Sequence, residues 1–254
     1  MTNVSGVSST LDSGQSDESV EVRVSSAFTY VGRGVYSVSE AARLVHLEES
    51  RVRRWVRGYW YKLRGVRHWS PPLLGCVDKE RGEATSLSFA DLIEVLYLEH
   101  FSGCGVPTRD LRRAAEVARA EIQTPHPFGS HRFRTDGRWI LQELETTRGA
   151  TSLLNLITEQ LEPERLLRKM LRGDLDLDGS QLVERWWPLT KRRDVVLDPM
   201  RRFGAPISDS AGIPTDILFR TFRAERSYAR TARWYGVSDR AVRDAVAFEK
   251  KLAA

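Results

Sequence analysis

One spacing pattern occurs twice in the chain: a small residue, a turn residue four positions later and a valine six positions after that. The two sets are Ala42, His46 and Val52, and Ala232, Gly236 and Val242. A small residue lets two helices cross closely, the turn residue takes a positive φ, and the valine fills the angle between the helices. This spacing is typical of a helix-turn-helix, so we predict two such units. His46 stands where glycine is usual, but histidine tolerates left-handed geometry better than most residues.

Capping residues indicate where the helices of the first unit begin and end. Ser37 and Glu40 have the spacing of a capping box, and they predict a helix that runs to Val45. A second helix is predicted from Glu48 to Arg57, with acidic residues beside its positive N-terminus. Its buried face should consist of apolar residues three and four positions apart, namely Val52, Trp55 and Val56.

One segment carries positive charge with no acidic residue. Between positions 51 and 67 the basic residues are Arg51, Arg53, Arg54, Arg57, Lys62, Arg64 and Arg67. Aromatic residues are interleaved with them, namely Trp55, Tyr59, Trp60 and Tyr61. A solvated helix face normally carries both signs, so this segment favours a polyanionic partner such as nucleic acid. The net charge of +5 for the whole chain agrees with that interpretation.

The stretch from Tyr59 to Trp69 is predicted to form two short strands around a turn at Gly65. A helix-turn-helix followed by a hairpin is a winged arrangement. Its second helix enters the major groove, and its wing touches phosphates or the minor groove. The candidate DNA-binding residues of this unit are Ser50, Arg51, Arg53, Arg54, Arg57, Lys62, Arg64 and Arg67.

The second unit leaves its partner open. Arg240 and Arg243 are predicted to face outward, and they are its candidate DNA-binding residues. Asp239, Asp244 and Glu249 dilute that positive charge. Units of this kind also serve as protein docking modules, so the sequence does not decide between DNA and protein.

The remaining elements are predicted from caps, turns and periodicity. Helices should cover Phe89 to about Phe101, Pro107 to about Ile122, and 152 to 171. A hairpin is expected around Asp136-Gly137, and a second β patch between 175 and 197. Three helices should follow from residue 213, with Pro214 at the first helical position of the first of them. The fold class is therefore mainly α with a smaller β portion, α+β.

Several other kinds of protein are disfavoured. No apolar run approaches the roughly 20 residues that a membrane span needs. The two cysteines suit a reducing compartment, and we expect a cytoplasmic protein. The segment from Asp174 to Gly179 matches the first half of a calcium loop, but position twelve is Arg185 rather than glutamate. We predict no metal, no cofactor and no enzymatic activity.

The first unit resembles a known family of regulators. The segment from Tyr36 to Gly58 resembles the MerR-type winged helix. The residues that carry the resemblance are Ser37-Val38-Ser39-Glu40-Ala41-Ala42-Arg43-Leu44 and Val52-Arg53-Arg54-Trp55. The stretch Leu87-Ser88-Phe89-Ala90-Asp91-Leu92, continued through Gly105-Val106 to Leu111, is similar to the two helices after that family's wing. That family's long dimer-forming coiled coil is not evident in this sequence.

The last sixty residues resemble a different family, the DUF433 antitoxins, which are VapB-like partners of PIN-type ribonuclease toxins. The resemblance is carried by Val195-Val196-Leu197-Asp198-Pro199, Phe203-Gly204-Ala205-Pro206-Ile207 and Ile213-Pro214-Thr215-Asp216-Ile217-Leu218. This chain has Ser210-Ala211-Gly212 where that family usually has Gly-Thr-Arg. The resemblance implies an antitoxin that binds a toxin ribonuclease.

These observations divide the chain into four segments. They are a disordered tail (1–27), a MerR-like winged helix-turn-helix DNA-binding domain (28–124), a β-hairpin and helix middle segment (125–190) and a DUF433-like antitoxin domain (191–254). The predicted function is an antitoxin that binds operator DNA and a PIN-type toxin, as a homodimer or in a toxin–antitoxin hetero-oligomer. The alternatives are a stand-alone MerR-like repressor and a metal-dependent nuclease.

Overall fold

The structure is a computed structural model that describes residues 33–74, 86–103, 106–129, 174–177, 182–190 and 193–253. The described helices are α1 (Val38–Leu44), α2 (Glu49–Arg57), α3 (Phe89–Gly103), α4 (Thr108–Ile122), α5 (Thr215–Glu225), α6 (Tyr228–Tyr235) and α7 (Asp239–Leu252). The described strands are β1 (Tyr36–Ser37), β2 (Tyr59–Leu63), β3 (Val66–Ser70), β4 (Ser86–Leu87), β5 (Leu175–Leu177) and β6 (Val183–Trp186). They pair antiparallel as β1 with β4, β2 with β3 and β5 with β6. The fold is α+β, as predicted.

Some predictions fall outside the described residues. They are the tail at 1–27, the hairpin around Asp136-Gly137, the helix at 152 to 171, and both cysteines. In the part of the chain that the structure describes, no helix combines the length and the apolar character needed to cross a membrane.

The predicted capping box opens α1. The Ser37 hydroxyl accepts a hydrogen bond from the Glu40 amide at 3.1 Å, and the Glu40 carboxylate accepts one from the Ser37 amide at 2.8 Å. These bonds satisfy donors that the first turn of a helix leaves unpaired. The second helix, α2, ends at Arg57 as predicted, and the predicted residues Val52, Trp55 and Val56 form its buried face.

One apolar core joins the first and the last parts of the chain that the structure describes. It includes Val52, Trp55 and Leu98 from the first part, and Val195, Leu197, Phe248 and Leu252 from the last part. Polar contacts accompany it, because the Tyr36 hydroxyl donates to the Gly204 carbonyl at 2.7 Å and the Val35 amide donates to the Phe203 carbonyl at 3.1 Å. The first helix-turn-helix and α7 therefore share one core.

A smaller cluster holds the last three helices together. Its buried members are Ala232, Val242 and Val246, and the half-buried residues around them are Phe219, Phe222, Tyr228 and Val237. The prediction that Pro214 occupies the first helical position is wrong by one residue. Its ψ of 135° is extended, so Pro214 is the N-cap and α5 begins at Thr215.

Glu94 of α3 is a buried carboxyl group. Its Oε1 accepts hydrogen bonds from the amides of Phe128 at 2.8 Å and Gly129 at 3.3 Å, which attaches the segment after α4 to the core. Burial disfavours the charged form and raises the pKa of Glu94 to about 8. The folded protein therefore keeps this proton at pH values where the unfolded chain has lost it.

Glu94 should make the protein less stable as the pH rises from about 4.5 to about 8. In that window the native state binds more protons than the unfolded state, so the free energy of unfolding falls with pH. Glu94→Gln should flatten this dependence and should be more stable than the wild type above pH 8. Urea unfolding at several pH values measures how the free energy of unfolding depends on pH. Glu116→Gln, at an exposed position, is the control. An unchanged pH slope in Glu94→Gln would contradict the prediction.

Candidate nucleic-acid interface

The first helix-turn-helix has the geometry that its spacing predicts. Ala42 and Val52 are buried between α1 and α2. His46 has φ 56°, so it takes the left-handed conformation where glycine is usual. The Leu47 amide donates to the Ala42 carbonyl at 2.8 Å and closes the turn. The two helices are therefore held at a fixed crossing.

The outer face of α2 carries exposed polar and basic side chains. The exposed residues are Ser50, Arg53, Arg54 and Arg57. Arg53 pairs with Glu49 on the same face, and an exposed pair of this kind is weak enough to exchange for a phosphate. The Arg54 guanidinium lies 5.8 Å from the centre of the Tyr59 ring. The structure thus gathers these four candidate residues on one surface.

Arg51 is placed differently from the other arginines of α2. It is half-buried, its guanidinium donates to the Ser102 hydroxyl of α3, and it lies 5.2 Å from the centre of the Trp55 ring. Sequence periodicity does not reveal this contact, because Ser102 is far away along the chain. We therefore expect Arg51 to hold α2 against α3.

The predicted wing is confirmed as a two-stranded hairpin. Strands β2 and β3 pair from Tyr59 opposite Ser70 to Leu63 opposite Val66. The two turn residues, Arg64 and Gly65, have φ values of 49° and 81°. Positive φ at both positions belongs to the type I′ turn, whose twist matches that of the strands.

The two faces of the wing differ in chemistry. One face carries Trp60, Lys62, Arg67 and Trp69, and the Trp60 and Trp69 rings lie 5.3 Å apart. Arg67 lies 5.1 Å from the centre of the Trp60 ring. The other face ends in Leu63 and Val66, which are 56% and 59% exposed beside the turn. Sequence reasoning missed this apolar tip, although the alternation along β2 signals it.

The base of the wing is fixed to the core. A Cβ atom at Gly58 would lie 2.5 Å from the Ser70 carbonyl oxygen, so only glycine fits where the wing leaves α2. Arg112 of α4 donates to the Ser70 hydroxyl at 2.9 Å and to the Pro71 carbonyl at 3.0 Å. The exposed surface of α2 and the wing therefore form one basic surface of fixed shape.

Lys62, Arg64 and Arg67 are all exposed on the wing, and we expect them to position DNA without specifying its sequence. Replacing all three with alanine should weaken operator and random DNA alike, and should lower the salt slope of binding by about 0.9 for each lost phosphate contact. Fluorescence anisotropy at several salt concentrations measures both effects. Arg64→Lys/Arg67→Lys, which keeps the charge, is the control. Selective loss of one base preference would contradict this role.

The second helix-turn-helix repeats the geometry of the first. Ala232 and Val242 are buried, and Gly236 has φ 65°. The Val237 amide donates to the Ala232 carbonyl at 3.0 Å and closes the turn in the same way. Ser238 caps α7 through the Ala241 amide at 3.1 Å. The candidate residues Arg240 and Arg243 are exposed, as predicted.

Asp176, in the segment that resembles a calcium loop, has a structural role. The Asp176 carboxylate accepts a hydrogen bond from the Trp187 indole at 2.8 Å, which links β5 to the end of β6. Among the residues that the structure describes, no three histidine, cysteine or acidic side chains are grouped so that they could hold a metal ion.

Residues 34–115 match a protein family described as "Putative DNA-binding HTH domain". The chain is 24% identical over 221 residues to "Putative antitoxin VapB45" of Mycobacterium tuberculosis (strain ATCC 25618 / H37Rv), covering 84% of this chain and 92% of that protein. The fold is similar to the crystal structure of Rv2018 from Mycobacterium tuberculosis, with a TM-score of 0.65 and 22% identity over 83% of this chain and 96% of that chain. The chain thus contains a helix-turn-helix domain that matches a family described as DNA-binding, and it has an antitoxin-like homologue.

Proposed function

We propose that the protein is an antitoxin that binds operator DNA of its own operon and neutralises a PIN-type ribonuclease toxin. The observation that carries the DNA-binding part is the basic surface of α2 and the wing. That surface lies within the residues that match a DNA-binding helix-turn-helix family. The similarity to a protein named as an antitoxin supports the toxin-binding part.

DNA recognition would follow the winged helix-turn-helix pattern. The exposed side chains of α2 enter the major groove, while the wing lies along the neighbouring backbone. The contact set is Ser50, Arg53, Arg54 and Arg57 from α2, and Lys62, Arg64 and Arg67 from the wing. Arg51 contributes by fixing the position of α2 on α3. Arginine suits this role because its planar fork matches phosphates and guanine edges.

In this function the chain consists of a DNA-binding part at 28–124, a middle segment at 125–190 and an antitoxin part at 191–254. The MerR-like and DUF433-like resemblances support that division. Binding to a toxin would assemble a hetero-oligomer, and the free antitoxin would be a homodimer that places two recognition helices on a palindromic operator.

The test of the proposal has two arms. The purified protein should protect a specific stretch upstream of its own coding sequence in a footprinting assay. When expressed together with the ribonuclease encoded beside it, it should restore growth and elute as one complex with that ribonuclease. Footprinting without a neighbouring ribonuclease would leave the stand-alone repressor as the function. Magnesium-dependent cleavage of nucleic acid by the purified chain would favour the nuclease.

A further inference from the structure

The geometry points to a second DNA-binding surface on this chain, formed by α6 and α7. We propose that the C-terminal helix-turn-helix binds duplex DNA. The inference rests on the proposed DNA-binding function and extends it, because the same chain would then contact two segments of duplex.

The backbone of the second helix-turn-helix matches that of the first. In both units a buried alanine carbonyl accepts the hydrogen bond that closes the turn, at 2.8 Å in the first and 3.0 Å in the second. In both, the turn residue is left-handed and a fully buried valine fills the angle between the helices. The first unit matches a DNA-binding family. The second presents α7 as its recognition helix.

The exposed side of α7 is a basic stripe. The exposed residues at helical spacing are Arg240, Arg243, Ala247 and Lys250. They recur every three or four positions, so they lie on one side of the helix. Ala247 is small, which lets the helix backbone approach a groove. A stripe of this kind is complementary to the phosphates that flank a major groove.

Two of the acidic residues of α7 are held by neighbouring groups of the fold. Asp244 is 1% exposed and accepts from the Arg193 guanidinium at 2.6 Å and from the Asp194 amide at 3.0 Å. Glu249 accepts from the Thr215 hydroxyl at 2.5 Å. The Asp244 carboxylate also lies 3.8 Å from the Arg240 guanidinium, so it offsets part of the charge of the stripe, as expected. On the exposed side of α7, Asp239 is the acid that remains.

Helix α6 adds further positive charge beside the stripe. Arg233 is exposed on it, and the exposed Arg230 lies 4.0 Å from the Glu225 carboxylate. In such a unit the first helix crosses the DNA backbone. Arg243 of α7 lies 4.2 Å from the centre of the Tyr228 ring, so its guanidinium is already oriented. Trp234, at the end of α6, is 72% exposed. A large exposed aromatic side chain would suit a protein partner rather than DNA.

The other side of α7 ties this surface to the first one. Phe248 and Leu252 belong to the same core cluster as Val52 and Trp55 of α2. The two recognition helices are therefore fixed relative to each other. The chain would then hold two segments of duplex at a fixed spacing.

The test compares two variants that lose the same charge. Arg240→Ala/Arg243→Ala removes part of the stripe, and Arg220→Ala/Arg223→Ala removes two exposed arginines of α5. Anisotropy with an operator duplex at several salt concentrations should show at least a tenfold weaker affinity and a salt slope lower by about 1.8 for the first variant. The control should change less than twofold. Thermal unfolding checks that both variants are folded, and footprinting should show a shorter protected stretch for the first.

A background variant separates this inference from the proposed function. In Arg53→Ala/Arg54→Ala/Arg57→Ala, weak residual DNA binding should persist and should disappear when Arg240 and Arg243 are also replaced. If the wild type binds no duplex, the proposed DNA-binding function fails together with this inference. If the wild type binds DNA and the stripe variant behaves like the control, only the second surface is wrong. Loss of ribonuclease capture by that same variant would then identify a protein docking site.

Discussion

Arg53→Ala/Arg54→Ala/Arg57→Ala should weaken operator binding by at least about a hundredfold at physiological salt. The three side chains are exposed on α2, the recognition helix of the unit that matches a DNA-binding family. One well-placed arginine contact to a base contributes about 1–3 kcal/mol of discrimination, so the loss of three exceeds a hundredfold. Anisotropy or gel-shift titration with operator and random duplexes gives the affinities.

Arg51→Ala provides the contrast for this experiment. Because Arg51 donates to Ser102 and lies beside Trp55, its loss should lower stability more than DNA affinity, once the folded fraction is taken into account. Undiminished operator binding by the triple variant would show that α2 is not the recognition helix. A loss for Arg51→Ala alone as large as that of the triple variant would show that it contacts the DNA.

Phe248→Ala should destabilise the whole described fold by about 3–5 kcal/mol, the usual range for truncating a buried phenylalanine. Phe248 is 2% exposed on α7 and belongs to the cluster that also contains Val52 and Trp55. Because that core is shared, the unfolding transition should move as a whole. Urea unfolding, followed by both tryptophan fluorescence and circular dichroism, measures the loss of stability and shows whether the transition moves as a whole.

Phe248→Leu, which keeps an apolar side chain of similar length, should lose much less stability. Amide hydrogen exchange measures the stability of each region of the protein separately. If the amides of α2 keep their protection in Phe248→Ala while those of α7 lose it, the predicted segments 28–124 and 191–254 fold independently. Equal loss of protection in both would show that they form one cooperative unit.

Local features of the fold were predictable because their interactions are local. The capping box of Ser37 and Glu40 joins residues three apart, and the buried face of α2 follows from helical period alone. The wing was also predictable, since Gly65 marks a turn between two aromatic strands. The conformation of His46 was predictable as well. The spacing places it at the turn, and its φ there is 56°.

Local sequence pattern was thus enough to predict two helix-turn-helix units, a hairpin after the first, and the exposed positions of Arg53, Arg54 and Arg57 on α2. Long-range contacts determine which other charged side chains are buried or paired, and which parts of the chain share a core. Arg193 pairs with Asp244 across 51 positions, and Arg51 meets Ser102 across another 51, so no local pattern could reveal either contact. The physical reason is that periodicity assigns residues to one face of a helix, whereas burial depends on which other element covers that face.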